Sequence, residues 1–266
     1  MSRIVSATEI NKSPNQYIID VINEKKSASV GIRDYRIKRL LEVLREWAGE
    51  RLDDVFVNGS SAKGTGLKGS SDIDLFISLK SNTSASLKDI YNSLYKCLIE
   101  AGFSVEKRNV AQRIIHYNLQ IDIVPGKKLP GQRYTHYLYT NRWSDQDRIQ
   151  TNVHNHVNHV INSGRINEIL ATKIWRQIHK LEFPSMHLEM YVLKALSGKW
   201  TGKAYLANNF EAVLEHISKY FHRTAIYDPS NASNVISQNL YKYEVAAIQA
   251  AAEKSLNKSY LKQIIY

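Results

Sequence analysis

The stretch Phe56 to Leu79, FVNGSSAKGTGLKGSSDIDLFISL, constrains the chain more than any other. A β-branched and aromatic run (Val55-Phe56-Val57) enters Asn58-Gly59-Ser60-Ser61, a Gly- and Lys-rich loop follows, and a second apolar run carries two acids, Asp72-Ile73-Asp74-Leu75-Phe76-Ile77. Alternate side chains of a strand share a face, so Asp72 and Asp74 are expected on one side and Ile73 and Leu75 on the other. Two carboxylates side by side repel each other unless a cation sits between them. Mg²⁺ suits them, with Mn²⁺ as the alternative, because hard divalent ions take oxygen ligands and arrive with substrate phosphates. Gly59-Ser60 reads as a turn that lets backbone amides and a hydroxyl approach such phosphates, with Ser61 beside it. A third acid lies in an alternating run further on, Leu119-Gln120-Ile121-Asp122-Ile123-Val124-Pro125. Taken singly, Asp72 reads equally well as a turn cap and Asp122 as an exposed strand charge. Three acids on apolar strands point to a shared cation.

Gly64-Thr65-Gly66-Leu67-Lys68-Gly69 matches the dinucleotide fingerprint G-x-G-x-x-G. That fingerprint needs a helix opening at the glycines, and here a strand follows, so it is rejected. His154, His156 and His159 do not share a helical face and have no cysteine or suitably spaced acid beside them, which argues against a metal site there. The net charge of +11 is split almost evenly between residues 1–150 and 151–266, so the positive field is distributed and suits a polyanion. The single cysteine, Cys97, excludes an internal disulfide and fits a reducing cytoplasm. No apolar run reaches the length of a membrane span.

Along the chain, helical spacing predicts helices over 14–24, from Asp34 to Gly49, and over 87–101. Ile114 to Tyr117 and Leu119 to Val124 read as antiparallel strands with a turn at Tyr117-Asn118. Pro125-Gly126 is expected to end the sheet. Lys127 to Asp147, rich in Lys, Arg and Tyr and containing Trp143, reads as an ordered loop or crossover whose composition suits either nucleic acid or solvent. From Asn152 onward the pattern is helical, with Ser185 expected as the N-cap of a helix over 186–196. An α/β catalytic half (1–150) followed by a helical half (151–266), with a cleft between them, is the expected organisation; the N-terminal helix is a candidate to pack on the second half.

Gly-Ser, eleven residues, Asp-x-Asp and a later strand-borne Asp before Val-Pro, in this order, resemble the signature of polymerase-β-like nucleotidyltransferases. Lys173-Ile174-Trp175, Phe183-Pro184-Ser185-Met186-His187-Leu188-Glu189, and Tyr227-Asp228-Pro229 followed by Asn234-Val235 narrow the resemblance. It runs to bacterial CD-NTases, oligoadenylate synthases, cyclic GMP–AMP synthase and archaeal-type CCA-adding enzymes. The resemblance implies an α+β core, a mixed twisted sheet with helices, followed by a helical domain. It implies that Asp72 and Asp74 hold two Mg²⁺ ions and that Asp122 ligates the catalytic one. It also implies triphosphate contacts from Gly59, Ser60, Ser61, Lys173 and Ser185. The implied reaction joins ribonucleoside triphosphates into a cyclic or short linear oligonucleotide. Transfer to an RNA 3′ end or to a protein is the alternative, and a catalytically dead nucleotide- or RNA-binding relative is a third reading, opposed by the presence of all three acids. Nucleoside triphosphates, RNA as a further partner, and a cytoplasmic monomer complete the expectation. The cyclic GMP–AMP synthase zinc insertion is absent, which puts DNA sensing of that kind in doubt.

Overall fold

The computed structural model describes residues 12–69, 72–141 and 147–266. The expected looseness of residues 1–12 and the placing of Trp143 therefore fall wholly or largely outside the described residues. In chain order the elements are α1 (Pro14–Lys25), α2 (Lys38–Ala48), β1 (Leu52–Asn58), α3 (Gly59–Lys63), β2 (Ile73–Leu79), α4 (Leu87–Glu100), β3 (Val105–Lys107), β4 (Gln112–His116), β5 (Leu119–Lys128), β6 (Thr135–Tyr139), β7 (Arg148–Asn152), α5 (Val153–Ile161), α6 (Ile166–Ile178), α7 (Ser185–Ala195), α8 (Leu206–Tyr220), the short pair β8 (Tyr227–Asp228) and β9 (Asn231–Val235), and α9 (Lys242–Leu256). The described residues form two compact units. One takes in Ala28–Gly66 and residues 72–158; the other takes in residues 12–27, Leu67–Gly69 and His159–Tyr266.

The first unit is built on a mixed sheet in the order β1-β2-β5-β4-β3, with β6 continuing from the far end of β5 and β7 beside it. β2 and β5 run parallel and every other pairing in this sheet is antiparallel. Ile73, Leu75, Ile77, Ile121, Ile123 and Ile114 face one side and pack under α2 and α4. α2 supplies Leu40, Leu41 and Leu44, and α4 supplies Ile90, Leu94 and Leu98, in the i, i+4 spacing that puts side chains on one helical stripe. Gly49 ends α2 at positive φ, a conformation glycine adopts without strain. Ser86 caps α4 by accepting from Asp89 N.

The Tyr117-Asn118 turn is present, both residues at positive φ, as a two-residue hairpin requires. The sheet does not end at Pro125-Gly126. β5 continues to Lys128 because its pairing changes hands: β4 leaves it after Ile123, and β6 takes over at Lys127 and Lys128. Pro125 falls in the gap between these partners, where a missing N–H disturbs no ladder on that edge, while the β2 register continues past it. Lys127 to Asp147 accordingly contains a strand, β6, rather than only a loop.

The second unit is helical. α1 joins it, with Ile18, Val21 and Ile22 in the same core as Ile169, Leu170, Trp175, Phe210 and Leu214. Trp175 is fully buried and its Nε1 donates to Ser255 Oγ at 3.0 Å. Buried Arg165 and Asn209 share the carboxylate of Glu168, at 3.1 and 2.9 Å, and Arg165 also donates to the carbonyls of Leu196, Lys199 and Trp200. This satisfies a charged group that would otherwise be costly inside a core.

A carboxylate row across the sheet

Register places the candidate residues. Asn58 of β1 lies opposite Asp74 of β2, Asp74 lies level with Asp122 of β5, and Asp122 lies opposite Arg113 of β4. Directly paired residues in a sheet share a face, so Asn58, Asp74, Asp122 and Arg113 form one row across four strands, on the face away from α2 and α4. Asp72, two residues before Asp74, joins this row through Arg113. The guanidinium donates from Nε to Asp122 Oδ1 at 2.6 Å, and from Nη2 to Asp122 Oδ2 at 2.7 Å and Asp72 Oδ2 at 2.9 Å. Next along the same face is an apolar row in which Phe56 and Phe76 stack at 5.2 Å beside Val124, sealing the polar row from below.

Asp74 is the strained member. Burial, followed by the charges of Asp122 and Asp72, pushes its carboxyl up to about 6, against the opposing pull of Lys63 and Arg113. The hydrogen bonds to Asp122, aided by the charges of Asp122, Asp72 and Glu106, push the Arg113 guanidinium pKa up against its burial. Gly59 is required by Asp74: a Cβ there would lie 1.6 Å from Asp74 Oδ2, and Gly59 has φ +63°. Gly59 opens the short helix α3 rather than a simple turn, and Ser60 and Ser61 follow in it. Buried Lys63 on α3 is the second cation whose charge reaches Asp74.

The donor set suits a hard divalent ion: three carboxylates from adjoining strands, with Asn58 Oδ1 buried and lacking a hydrogen-bond partner beside Asp74. Among the described residues no three His, Cys, Asp or Glu side chains are already grouped as a metal-holding set. Arg113 already occupies Asp72 and Asp122 with its guanidinium.

Ser185 is the first residue of α7, not its N-cap; Pro184 holds the cap position, so the serine hydroxyl is turned to other use and accepts from Arg176 Nη2 at 3.3 Å. Lys173, expected to contact a triphosphate, is 2% exposed and pairs with Glu189 at 2.6 Å. Removing one partner of a buried pair of this kind costs about 3–5 kcal/mol, because the other charge is left buried and uncompensated. Arg113, Lys63 and Asn58 were not singled out from the sequence. Arg113 was within reach: the alternation of the Ile114 strand extends one pair back to Gln112.

With this geometry in view, residues 37–129 match the family model described as "Nucleotidyltransferase domain". That match spans about a third of the chain, and the likenesses to solved structures that follow concern the fold. Compared with curated protein sequences, it finds no match. Among solved structures it resembles CdnC from Escherichia coli MS115-1 in its HORMA-deltaN complex (20% identity, 91% of this chain and 89% of that one, TM-score 0.73). It also resembles the CdnE cyclic dinucleotide synthase of Elizabethkingia meningoseptica with GTP and Apcpp (15% identity, 93% and 100%, TM-score 0.66). A third likeness is to a mutant Cid1 poly(U) polymerase bound to MgATP (17% identity, 92% and 94%, TM-score 0.62).

Two outcomes test the site. The folded-state value of about 6 for Asp74 lies above its ordinary 3.8. Its contribution to stability is thus full below the ordinary value and is lost as pH rises through about 6. Without divalent ions, Asp74→Asn should melt above the wild type at pH 8, by the equivalent of about 1–3 kcal/mol, and the gap should close by pH 4. Identical pH profiles would contradict the crowding. Lys173→Met should lower the melting temperature, and adding Glu189→Leu should recover much of the loss. An unaffected single variant would remove the buried pair from the account.

Proposed function

We propose that this nucleotidyltransferase joins ribonucleoside triphosphates into a cyclic or short linear oligonucleotide. The observation that carries the reading is the row of Asp74, Asp122 and Arg113 with Asp72 attached to it, three acids crowded on one sheet face. Asp72, Asp74 and Asp122 would hold Mg²⁺ or Mn²⁺, which when bound supplies charge neutralisation at the phosphates and acidifies an attacking hydroxyl. The chain's own residues do the remainder. Gly59 lets the Asp74 carboxylate lie against the start of α3, with the hydroxyls of Ser60 and Ser61 following in that helix as the candidate phosphate contacts. Ser185, exposed at the start of α7, is the contact to a triphosphate that the family resemblance adds. Lys173 makes that contact only if Glu189 releases it. A hydroxyl oxygen of one nucleotide bonds to the α-phosphorus of another, the bond to the β-phosphate oxygen breaks, pyrophosphate departs, and the hydroxyl proton is lost.

The likeness to CdnC and CdnE supports the synthase reading at the level of fold. Terminal transfer to an RNA 3′ end is the second reading, favoured by the net charge of +11 and by the likeness to Cid1. Purified protein with Mg²⁺ or Mn²⁺ and the four labelled ribonucleoside triphosphates should release pyrophosphate without added RNA, and part of the product should resist phosphatase. The Asp72→Ala/Asp74→Ala double variant should make none. Label that appears only with RNA, and only at its 3′ end, would replace the synthase reading with the transferase one.

A further inference from the structure

The row of paired residues does not stop at Arg113. On the far side of β4, Glu106 of β3 is paired directly with Arg113, so the sequence across five strands reads Asn58, Asp74, Asp122, Arg113, Glu106. Arg113 therefore has an acidic neighbour on each side. At present its fork is spent on Asp122, with one nitrogen shared with Asp72. Glu106 is exposed and holds Arg108 at 3.1 Å, a surface pair of little strength.

We propose that Arg113 is a positioning residue that stands in for the divalent cation, and that loading the site requires its guanidinium to leave Asp122 and Asp72 and swing to Glu106. The proposal rests on the nucleotidyltransferase reading above. Two points converge on it. The fork occupies both oxygens of Asp122 and one of Asp72, oxygens that a shared divalent ion would need. A guanidinium and a divalent ion also repel each other at such range, so both cannot occupy the acids in the present arrangement. The backbone of Arg113 is fixed by strands on both sides, so the exchange needs only side-chain rotation within one row.

The fork also compensates the acids, because without it two further carboxylates would stand uncompensated beside Asp74. Removing it should therefore change two properties in opposite senses. In EDTA, Arg113→Gln should melt below the wild type. Its affinity for Mn²⁺ in the absence of nucleotide, read from the electron paramagnetic resonance signal of the free ion, should rise about ten- to a hundredfold, since a charge-assisted hydrogen bond no longer competes. Arg113→Lys, which keeps a charge but not the fork, guards against a poorly folded first variant and should fall between the two. Glu106→Gln removes the second resting place and should weaken Mn²⁺ binding without lowering the melting temperature in EDTA by as much as Arg113→Gln. Lower stability with unchanged or weaker Mn²⁺ affinity in both Arg113 variants would overturn the proposal and leave Arg113 as a structural brace, with the nucleotidyltransferase site intact. Absence of Mn²⁺ binding in the wild type and in every variant would instead overturn the site reading on which the proposal rests.

Discussion

The parallel pairing of β2 with β5 is the constraint from which the site follows. It sets Ile73 against Ile121 and Leu75 against Ile123 on the covered face, and the same register sets Asp74 level with Asp122 on the other. A slip of one residue would exchange the faces, exposing isoleucines and burying carboxylates under α2 and α4. The hydrophobic layer therefore fixes the carboxylates' alignment, and the cost of their repulsion is carried by the core rather than by the site. Two local features accommodate the acids: Gly59 has no Cβ to collide with the Asp74 carboxylate, and Arg113 neutralises Asp122.

Charge balance accounts for the division of labour among the acids. Arg113 bonds to Asp122 and Asp72, while at Asp74 burial and two like-charged neighbours outweigh the charges of Lys63 and Arg113. It is the acid that most needs a further cation. A site poised in this way has an electrostatic reason to take up a cation.

Much of this was legible in the sequence. Alternation over 72–77 and 119–124 separated acidic from apolar faces, and periodicity located α2, α4 and the later helices, because these elements bury a single stripe or face. Non-local partners were the part that could not be read. Nothing local to Lys127–Lys128 announces that β6 will pair with them, so a Pro-Gly pair read as the end of the sheet. Arg113 looked like an ordinary basic residue until register set it between Asp122 and Glu106. Lys173 and Glu189 lie sixteen residues apart on different helices, and a buried ion pair leaves no signature in either helix. Ser185 was displaced by one position because Pro184 takes the cap, a shift within the ordinary uncertainty of helix ends.

The central claim is that Asp72, Asp74 and Asp122 share divalent cations and that Arg113 yields to them. A crystal structure of the full chain with Mn²⁺ and a non-hydrolysable ribonucleoside triphosphate, with the metal located by its anomalous scattering, tests it most directly. The account expects Mn²⁺ bound by oxygens of all three acids, the triphosphate beside Gly59 and Ser60, and the Arg113 guanidinium withdrawn from Asp122 toward Glu106. Mn²⁺ bound elsewhere, with Arg113 still forked onto Asp122, would contradict it.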